Sequence, residues 1–571
     1  MKKGKIIKVL SFLFIGMFLF ITAGCQATPP SDTGSNNNAG TSTPSPTTVP
    51  STDESKMVGI MYKEGLPIVK EPVSYYFIGL QMNNTRPNNL DETEFFQKAM
   101  KDTGVNIEWD LIPQASWAEK KNLTVASGEY PDAFYGPKSL SHDEVQKFGS
   151  DGVLIDITDL LNQYAPNIRA IMNEYPQYEG FIKSMDGKIY QLASFTDEGF
   201  DSLISSVINK EWLDTLELAV PTDTEELYNV LKKFKSTDLN GNGQADEIPM
   251  SFLFQEGKDL NREVKRDFRP IYYAFGNLDT PFYINIDDND NVYFTADKPE
   301  WKAATAYMGK LYKEGLIDPE VFTQDRTLLT NKLRTQKNVG VYFDYRKDNS
   351  MILEEDQPKY TFIPALKSPE GKQVWARSAS FAEGGFAITN KAKNPEILIR
   401  FIDYLNSPEN SVQMAFGMFK PAGFNKTEAL VPSEKSPGLY EVNSRPTDVE
   451  ASDWFMSSPI AQACTLLTKS TMDKYVAEKA SSVAKTEACK VYRPYLSKWP
   501  YNYAYKFSAD EVSELSLLQT DITAYILQTQ AKWITEGGIE QEWDSYLAQL
   551  KKLGLDRYVE LYKIAFERVE K

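Results

Sequence analysis

The sequence predicts an α/β fold, and three observations predict it. Strand and helix patterns alternate from about residue 70 onward. An apolar share of 42% and a charged share of 25% are ordinary for a chain that buries a real core. A length of 571 residues allows two to four domains, or one large two-lobed unit. After residue 60 there is neither an internal repeat nor a long linker, so the body reads as one intertwined unit.

The elements follow in order. Pro72 to Leu80 is rich in aromatic and β-favouring residues and reads as a buried strand. Asp91 to Asp102 reads as a helix with an acid-rich start and Gly104 after its end. Val105 to Ile112 returns as a strand, which completes a β-α-β unit. Thr222 and Glu225 form a capping box that opens a helix through Lys235. Ala303 to Glu314 is a helix stopped by Gly315. Glu396 to Asn406 is another, with Ile397, Phe401 and Leu405 on one face. A second capping box, Ser508 with Glu511, opens a long amphipathic helix to about Ile534.

The first 24 residues read as an address. Lys2, Lys3, Lys5 and Lys8 precede an almost wholly apolar stretch from Val9 to Ala23, too short for a membrane span. Thr22-Ala-Gly-Cys25 resembles a bacterial lipobox, in which the thiol is acylated; Thr22 stands where Leu is usual. The alternative is an ordinary signal peptide with an incidental Cys. Of residues 26–56, 23 of 31 are Ser, Thr, Pro, Asn or Gly, which cannot bury apolar area and reads as a disordered tether. Removal of residues 1–24 takes away four lysines and no acid, so the formal charge goes from −17 to −21.

That balance and the rare residues exclude several chemistries. A strongly acidic chain lacks the basic footprint of nucleic-acid binding. The single histidine, His142, cannot supply an HExxH zinc site, and three cysteines cannot make an all-thiolate one. Cys464 and Cys489 are exported with the body and would close a loop of about 25 residues if bridged; two buried thiols are the alternative.

Residues 238–249 carry the sharpest local motif. Asp238, Asn240 and Asn242 stand at positions 1, 3 and 5 of an EF-hand-like loop, with Gly243 at the turn, Gln244 at 7 and Asp246 at 9. Position 12 is Pro249, so Glu247 is the obvious source of the remaining acid. Such a set of oxygens suits a structural Ca²⁺. The similar stretch Asp287 to Asn291 lacks Gly at its sixth place and reads as a hairpin turn. Nothing in the spacing of the many acids selects a glycosidase pair, and no phosphate loop, nucleophile elbow or dinucleotide fingerprint is present. Gly384-Gly385 reads as a turn into a strand. An aromatic share of 12%, with export and tethering, favours a binder whose flat side chains stack on sugar rings.

A series of motifs in order carries a family resemblance. These are Ser127-Gly-Glu-Tyr-Pro-Asp132, Gly152-Val-Leu-Ile-Asp-Ile-Thr158, Tyr164-Ala-Pro166, Asp186-Gly-Lys-Ile-Tyr190, Asn209-Lys-Glu-Trp-Leu-Asp214 and Pro221-Thr222. The calcium loop, Leu311-Tyr-Lys-Glu-Gly-Leu-Ile-Asp318, Asn394-Pro-Glu396 with Arg400 and Asp403-Tyr404, and Leu553-Gly-Leu-Asp-Arg-Tyr558 follow. The run resembles the extracellular solute-binding lipoproteins of carbohydrate ABC importers in Gram-positive bacteria, of the LplA-like group. It is similar to the alginate-oligosaccharide-binding proteins, which share that kind of calcium loop. Gly417-Met-Phe-Lys420, Trp533-Ile-Thr-Glu-Gly537 and Leu216-Glu-Leu218 depart from the group's usual patterns.

The resemblance implies a two-lobed periplasmic-binding-protein type II fold with a ligand cleft between the lobes. Residues 57–571 would form the body, with lobe one at about 70–193 and 379–435 and lobe two at about 194–378 and 436–571. It implies a monomeric non-enzyme, lipid-anchored through Cys25 on the outer face of the cell membrane. It further implies an oligosaccharide ligand, membrane permease partners with a separate ATPase, and no nucleic acid. A receptor for another solute, such as a peptide, and a surface hydrolase or sensory module remain the alternatives. Loops at strand ends and aromatic positions nominate the cleft residues: Gln81, Asn83, Arg86, Trp117, Phe275, Phe282, Tyr283, Trp375, Arg377 and Trp454.

Overall fold

A computed structural model describes residues 56–569, apart from 82–89, 198–203, 255–267, 281, 345–350, 379–380, 421–428, 444–445, 447–448, 451–452, 455, 457–463, 479 and 501–504. The expected signal segment, Cys25 and the tether up to residue 55 lie outside the described residues.

The body begins with the expected β-α-β unit. Strand β1 (Val73–Gln81) alternates at its start and is then buried on both faces, as befits a parallel strand covered by helices. Helix α1 (Glu94–Thr103) is capped by Thr93, whose hydroxyl accepts from the Phe96 N–H, and ends at Gly104 with φ 75°. It buries Phe95, Phe96 and Ala99. Strand β2 (Val105–Pro113) then pairs parallel with β1 along its whole length. Helix α2 (Gln114–Ser127), β3 (Ala133–Pro137), α3 (His142–Ser150), α4 (Pro176–Ile182) and β4 (Leu192–Thr196) complete the first pass.

The chain next builds a second sheet from β5 (Ser205–Asn209), α5 (Thr224–Lys235), β6 (Ile248–Met250), α6 (Pro299–Lys313), β7 (Val339–Asp344) and β8 (Tyr360–Ile363). The cap of α5 is one residue later than expected. Asp223 accepts from the Glu226 N–H at 2.8 Å, while Thr222 donates both its N–H and its hydroxyl to Glu226. An ionised carboxylate is the stronger acceptor, so it takes the cap and the threonine becomes its flank. Helix α6 starts about a turn before the expected Ala303, because Pro299 is preorganised for the first helical position. The expected hairpin is present, Ile284–Ile286 pairing antiparallel with Val292–Phe294 around the Asp287 turn.

The chain returns through β9 (Phe381–Ile388), α7 (Pro395–Leu405) and β10 (Leu466–Leu467), and ends in α8 (Ala480–Tyr492), α9 (Ala509–Glu536) and α10 (Leu555–Glu567). The first sheet has the order β10-β4-β9-β3-β1-β2 and the second β8-β5-β7-β6. Two large cores match the two sheets. One holds Phe77, Tyr135, Phe195, Phe386 and Phe401; the other holds Trp212, Phe234, Trp301, Phe343 and Tyr558. Strand β10 lies in a stretch expected to belong to lobe two, yet it hydrogen-bonds to the edge of the first sheet.

Gly384 and Gly385 do not form a turn ahead of a strand. They lie inside β9, at a bulge between Ala382 and Gly385. A Cβ on Gly384, whose φ is 71°, would come within 2.5 Å of the Ser139 nitrogen. One on Gly385 would come within 2.3 Å of the Leu192 carbonyl oxygen. Only glycine allows backbones so close. Cys464 and Cys489 are both buried and neither is in a disulfide, so the conceivable bridge is absent. Cys464 sits in the first core and Cys489 on α8, in separate parts of the body. Burial pushes the Cys464 thiol up to about 12.

Candidate functional site

The strand registers locate the cleft. Parallel β1, β2 and β3 all end at one edge, at Gln81, Pro113 and Pro137. Antiparallel β9 enters at that edge, with Gly384 opposite Pro137, and β4 leaves there at Thr196. The chain therefore passes to the second sheet and back from a single edge. On the second sheet, Ser205 opens β5 opposite Asp344, the last residue of β7. Parallel β6 leads to the same edge through Ser251 to Phe254, and β8 ends there at Ile363. The two edges meet at the crossings, the switch-point position at which α/β proteins take up ligands.

The groups at these edges are aromatic rings and carboxylates. On the first lobe, Tyr175, Tyr178, Phe181 and Phe381 surround Phe195 and one another with ring centroids 4.8–5.9 Å apart. Tyr175, Phe181 and Phe381 are only half-buried. The Tyr175 hydroxyl donates to Asp197 at 3.0 Å. Burial and that carboxylate together raise its pKa, so it stays a neutral donor. On the second lobe, Arg326 donates to both oxygens of Asp344 at 3.2 and 3.0 Å. Phe254 stacks on Phe268 at 5.3 Å behind this edge, and both rings are buried in the second core. Such a wall can stack on apolar faces and bond hydroxyl groups. The only histidine lies on α3, and among the described residues its Nε2 has no hydrogen-bond partner.

Most of the aromatic side chains nominated from sequence are core instead. Trp117 is fully buried and donates its indole N–H to the Ser139 carbonyl at 3.1 Å. Trp375 is 1% exposed and lies flat on Tyr492 at 3.8 Å. Phe275 and Tyr283 belong to the second core. Trp454 is buried with Ala429 and Val449. Phe282 is half-buried and its carbonyl accepts from Tyr558. Arg377 donates Nε to the Ser497 carbonyl at 2.9 Å. Gln81 is buried at the cleft edge, whereas Asn83 and Arg86 lie outside the described residues. Asp197, Asp344 and Phe381, which no sequence signal nominates, also lie at this edge. Each stands at or next to a strand end on the crossing edge, a position readable once the strands are known.

The 238–249 loop is organised by its own acids. Asp238 accepts from the N–H groups of Gly241, Asn242 and Gly243 at 2.8–3.2 Å. Glu247 accepts from those of Leu239 and Asn240 through Oε1, while its buried Oε2 has no partner. The amides of Asn240 and Asn242 turn to Asp246. Among the described residues, no three His, Cys, Asp or Glu side chains converge as a ready metal-holding group. The donors nonetheless fit a hard cation in kind, and the buried Glu247 oxygen is left as an unpaired acceptor beside them.

Comparison with known proteins agrees with this architecture. The profile of the family "bacterial extracellular solute-binding protein" matches residues 88–412. The fructooligosaccharide ABC transporter substrate-binding protein FusA of Streptococcus pneumoniae is 31% identical over 493 residues, 85% of this chain and 88% of that one. The structure of FusA with kestose superposes with a TM-score of 0.72 at 27% identity, covering 87% of this chain and 99% of that one. A FusA EF-hand mutant in complex with fructo-nystose superposes equally well, with a TM-score of 0.72. Alginate-binding protein AlgQ2 without calcium ion shares the fold, with a TM-score of 0.64 at 20% identity over 87% of this chain and 99% of that one. Among the described residues no helix is long and apolar enough to cross a membrane. The two lobes, the single crossing edge and these likenesses lead to one conclusion: this chain belongs to the bacterial extracellular solute-binding protein family.

Proposed function

We propose that this protein is the substrate-binding receptor of an ABC importer, that it captures a short fructooligosaccharide outside the cell, and that it performs no catalysis. The carrying observation is the likeness to FusA across nearly the whole body. A cleft edge of half-buried rings beside Asp197, with Asp344 at the facing edge of the other lobe, supports it, because sugars offer apolar ring faces and hydroxyl groups. Gln81 and the residues that follow it, Asn83 and Arg86, are the first ligand contacts to test.

In this reading residues 1–24 are removed and Cys25 carries the lipid that holds a monomeric receptor at the outer face of the membrane. The receptor hands the sugar to membrane permeases driven by a separate ATPase. Asp238, Asn240, Asn242, Gln244, Asp246 and Glu247 hold a structural Ca²⁺, which would supply the charge that gathers the loop's oxygens.

Isothermal titration of the purified chain with kestose and nystose, against maltotriose, an alginate trisaccharide and a tripeptide, tests the reading. Saturable binding of the fructans with unchanged sugar recovered afterwards is expected. Binding of the tripeptide alone, or cleavage of the sugar, would sink it.

A further inference from the structure

The two lobes meet directly at one side of the cleft. The first turn of α3 and residues 181–185 at the end of α4 face Tyr505–Phe507, which pack with the second core. Together they line a half-open pocket of about 20 Å³, with His142, Phe181, Lys183, Tyr505, Lys506 and Phe507 among its walls. Helix α9 also touches α3 beside it. The His142 imidazole stands edge-on to Phe181 at 4.5 Å, and its Nε2 is shut from solvent without a protein partner.

The charges around this imidazole are ill-suited to a proton. Lys506 faces it, and burial with the Lys183 charge lowers the Lys506 pKa in turn. Among the described residues, four carboxylates on adjoining elements have partners other than this imidazole. Glu179 takes Lys183 at 2.8 Å, Glu144 takes Lys121 at 2.5 Å, and Asp186 takes the Tyr190 hydroxyl at 2.8 Å. Glu511 pairs with Arg568, which also donates to the Lys506 carbonyl at 3.0 Å. Asp143 lines the cavity but is not free. Gln146, the remaining polar neighbour, accepts from the Met185 N–H at 2.9 Å.

We propose that this contact is a latch on the closed lobes and that a proton on His142 releases it. Closure keeps the half-buried ring neutral: burial of Nε2 first, and then Lys506, hold it down to about 4. With the lobes apart His142 would meet water and titrate near its ordinary 6.5. Its closed-state pKa is therefore the lower one. The latch is intact above pH 6.5 and weakens as pH falls toward 4, by about tenfold in the closed-to-open ratio at pH 5.5. The inference needs lobes that separate, but not any particular sugar.

His142 is the chain's only histidine, so a tag-free protein gives one imidazole signal that needs no assignment. Its titration by NMR should have a midpoint at least one unit below 6.5, and Lys506→Met should raise that midpoint. Small-angle scattering should show the chain expanding between pH 7.5 and 5.0, whereas His142→Gln, folded by circular dichroism, should not. A midpoint near 6.5, no expansion, or an expansion that His142→Gln shares would each overturn the latch.

Discussion

Trp375 is the sharpest test of whether the aromatic side chains near the crossings are core or ligand platform. It is 1% exposed, lies parallel to Tyr492 at 3.8 Å, and meets Tyr273 edge-on at 5.5 Å. Tyr492 in turn donates its hydroxyl to the Ile363 carbonyl at 2.8 Å, which ties α8 to the end of β8. Trp375→Ala removes a fully buried ring, at about 3–5 kcal/mol, and with it a stacked pair that contributes about 0.5–1.5 kcal/mol beyond its area. Near Tm the unfolding entropy is about 2.1 cal/mol/K per residue. A lobe of about 250 residues unfolding alone would then lose roughly 8 °C, and the whole body unfolding together roughly half that. Scanning calorimetry reads the difference, with Trp375→Phe as a milder companion. A Tm unchanged within about 1 °C, above all if kestose no longer raises it, would refute the core assignment and return Trp375 to the ligand.

Other perturbations follow from the same contacts. Gly385→Ala drives a Cβ against the Leu192 oxygen and the Cys464 sulfur, at 2.3 and 2.9 Å, and should cost about 1–3 kcal/mol, read as lost Tm. The Arg568 hydrogen bond above all holds the Glu511 carboxyl down to about 2 from 4.5. That stability is present above pH 4.5 and is lost as pH falls toward 2, so Glu511→Gln should cost about 2 kcal/mol at pH 7 and progressively less in acid. A Ca²⁺ site at the 238–249 loop predicts that EDTA lowers Tm, that Ca²⁺ at about 100 times its Kd restores about 2.7 kcal/mol, and that Asp238→Ala abolishes the response. An EDTA-insensitive Tm would end the calcium assignment.

The elements that carry a local pattern were readable, and those defined by distant partners were not. Val73–Gln81, the Gly104 stop, the Ser508 cap and the Asp287 hairpin follow from neighbours a few residues away. Strand β10, by contrast, is two residues long, and only its bonds to β4 make it a strand. The same limit applies to the site. An aromatic residue has one appearance in sequence whether its ring meets water or Tyr492: Trp117 reads as a loop residue yet lies in α2, and Trp375 lies in a short strand against Tyr492. What separates core from cleft is the edge at which a strand ends, and that depends on register. Once β5 and β7 are known to be antiparallel, Asp344 must share an edge with Ser205, beside the crossing. The cleft of such a protein is therefore better sought in the residues that follow each strand than in its most conspicuous rings. By that rule Asp197, Asp344 and Phe381 are stronger ligand candidates than any of the buried tryptophans.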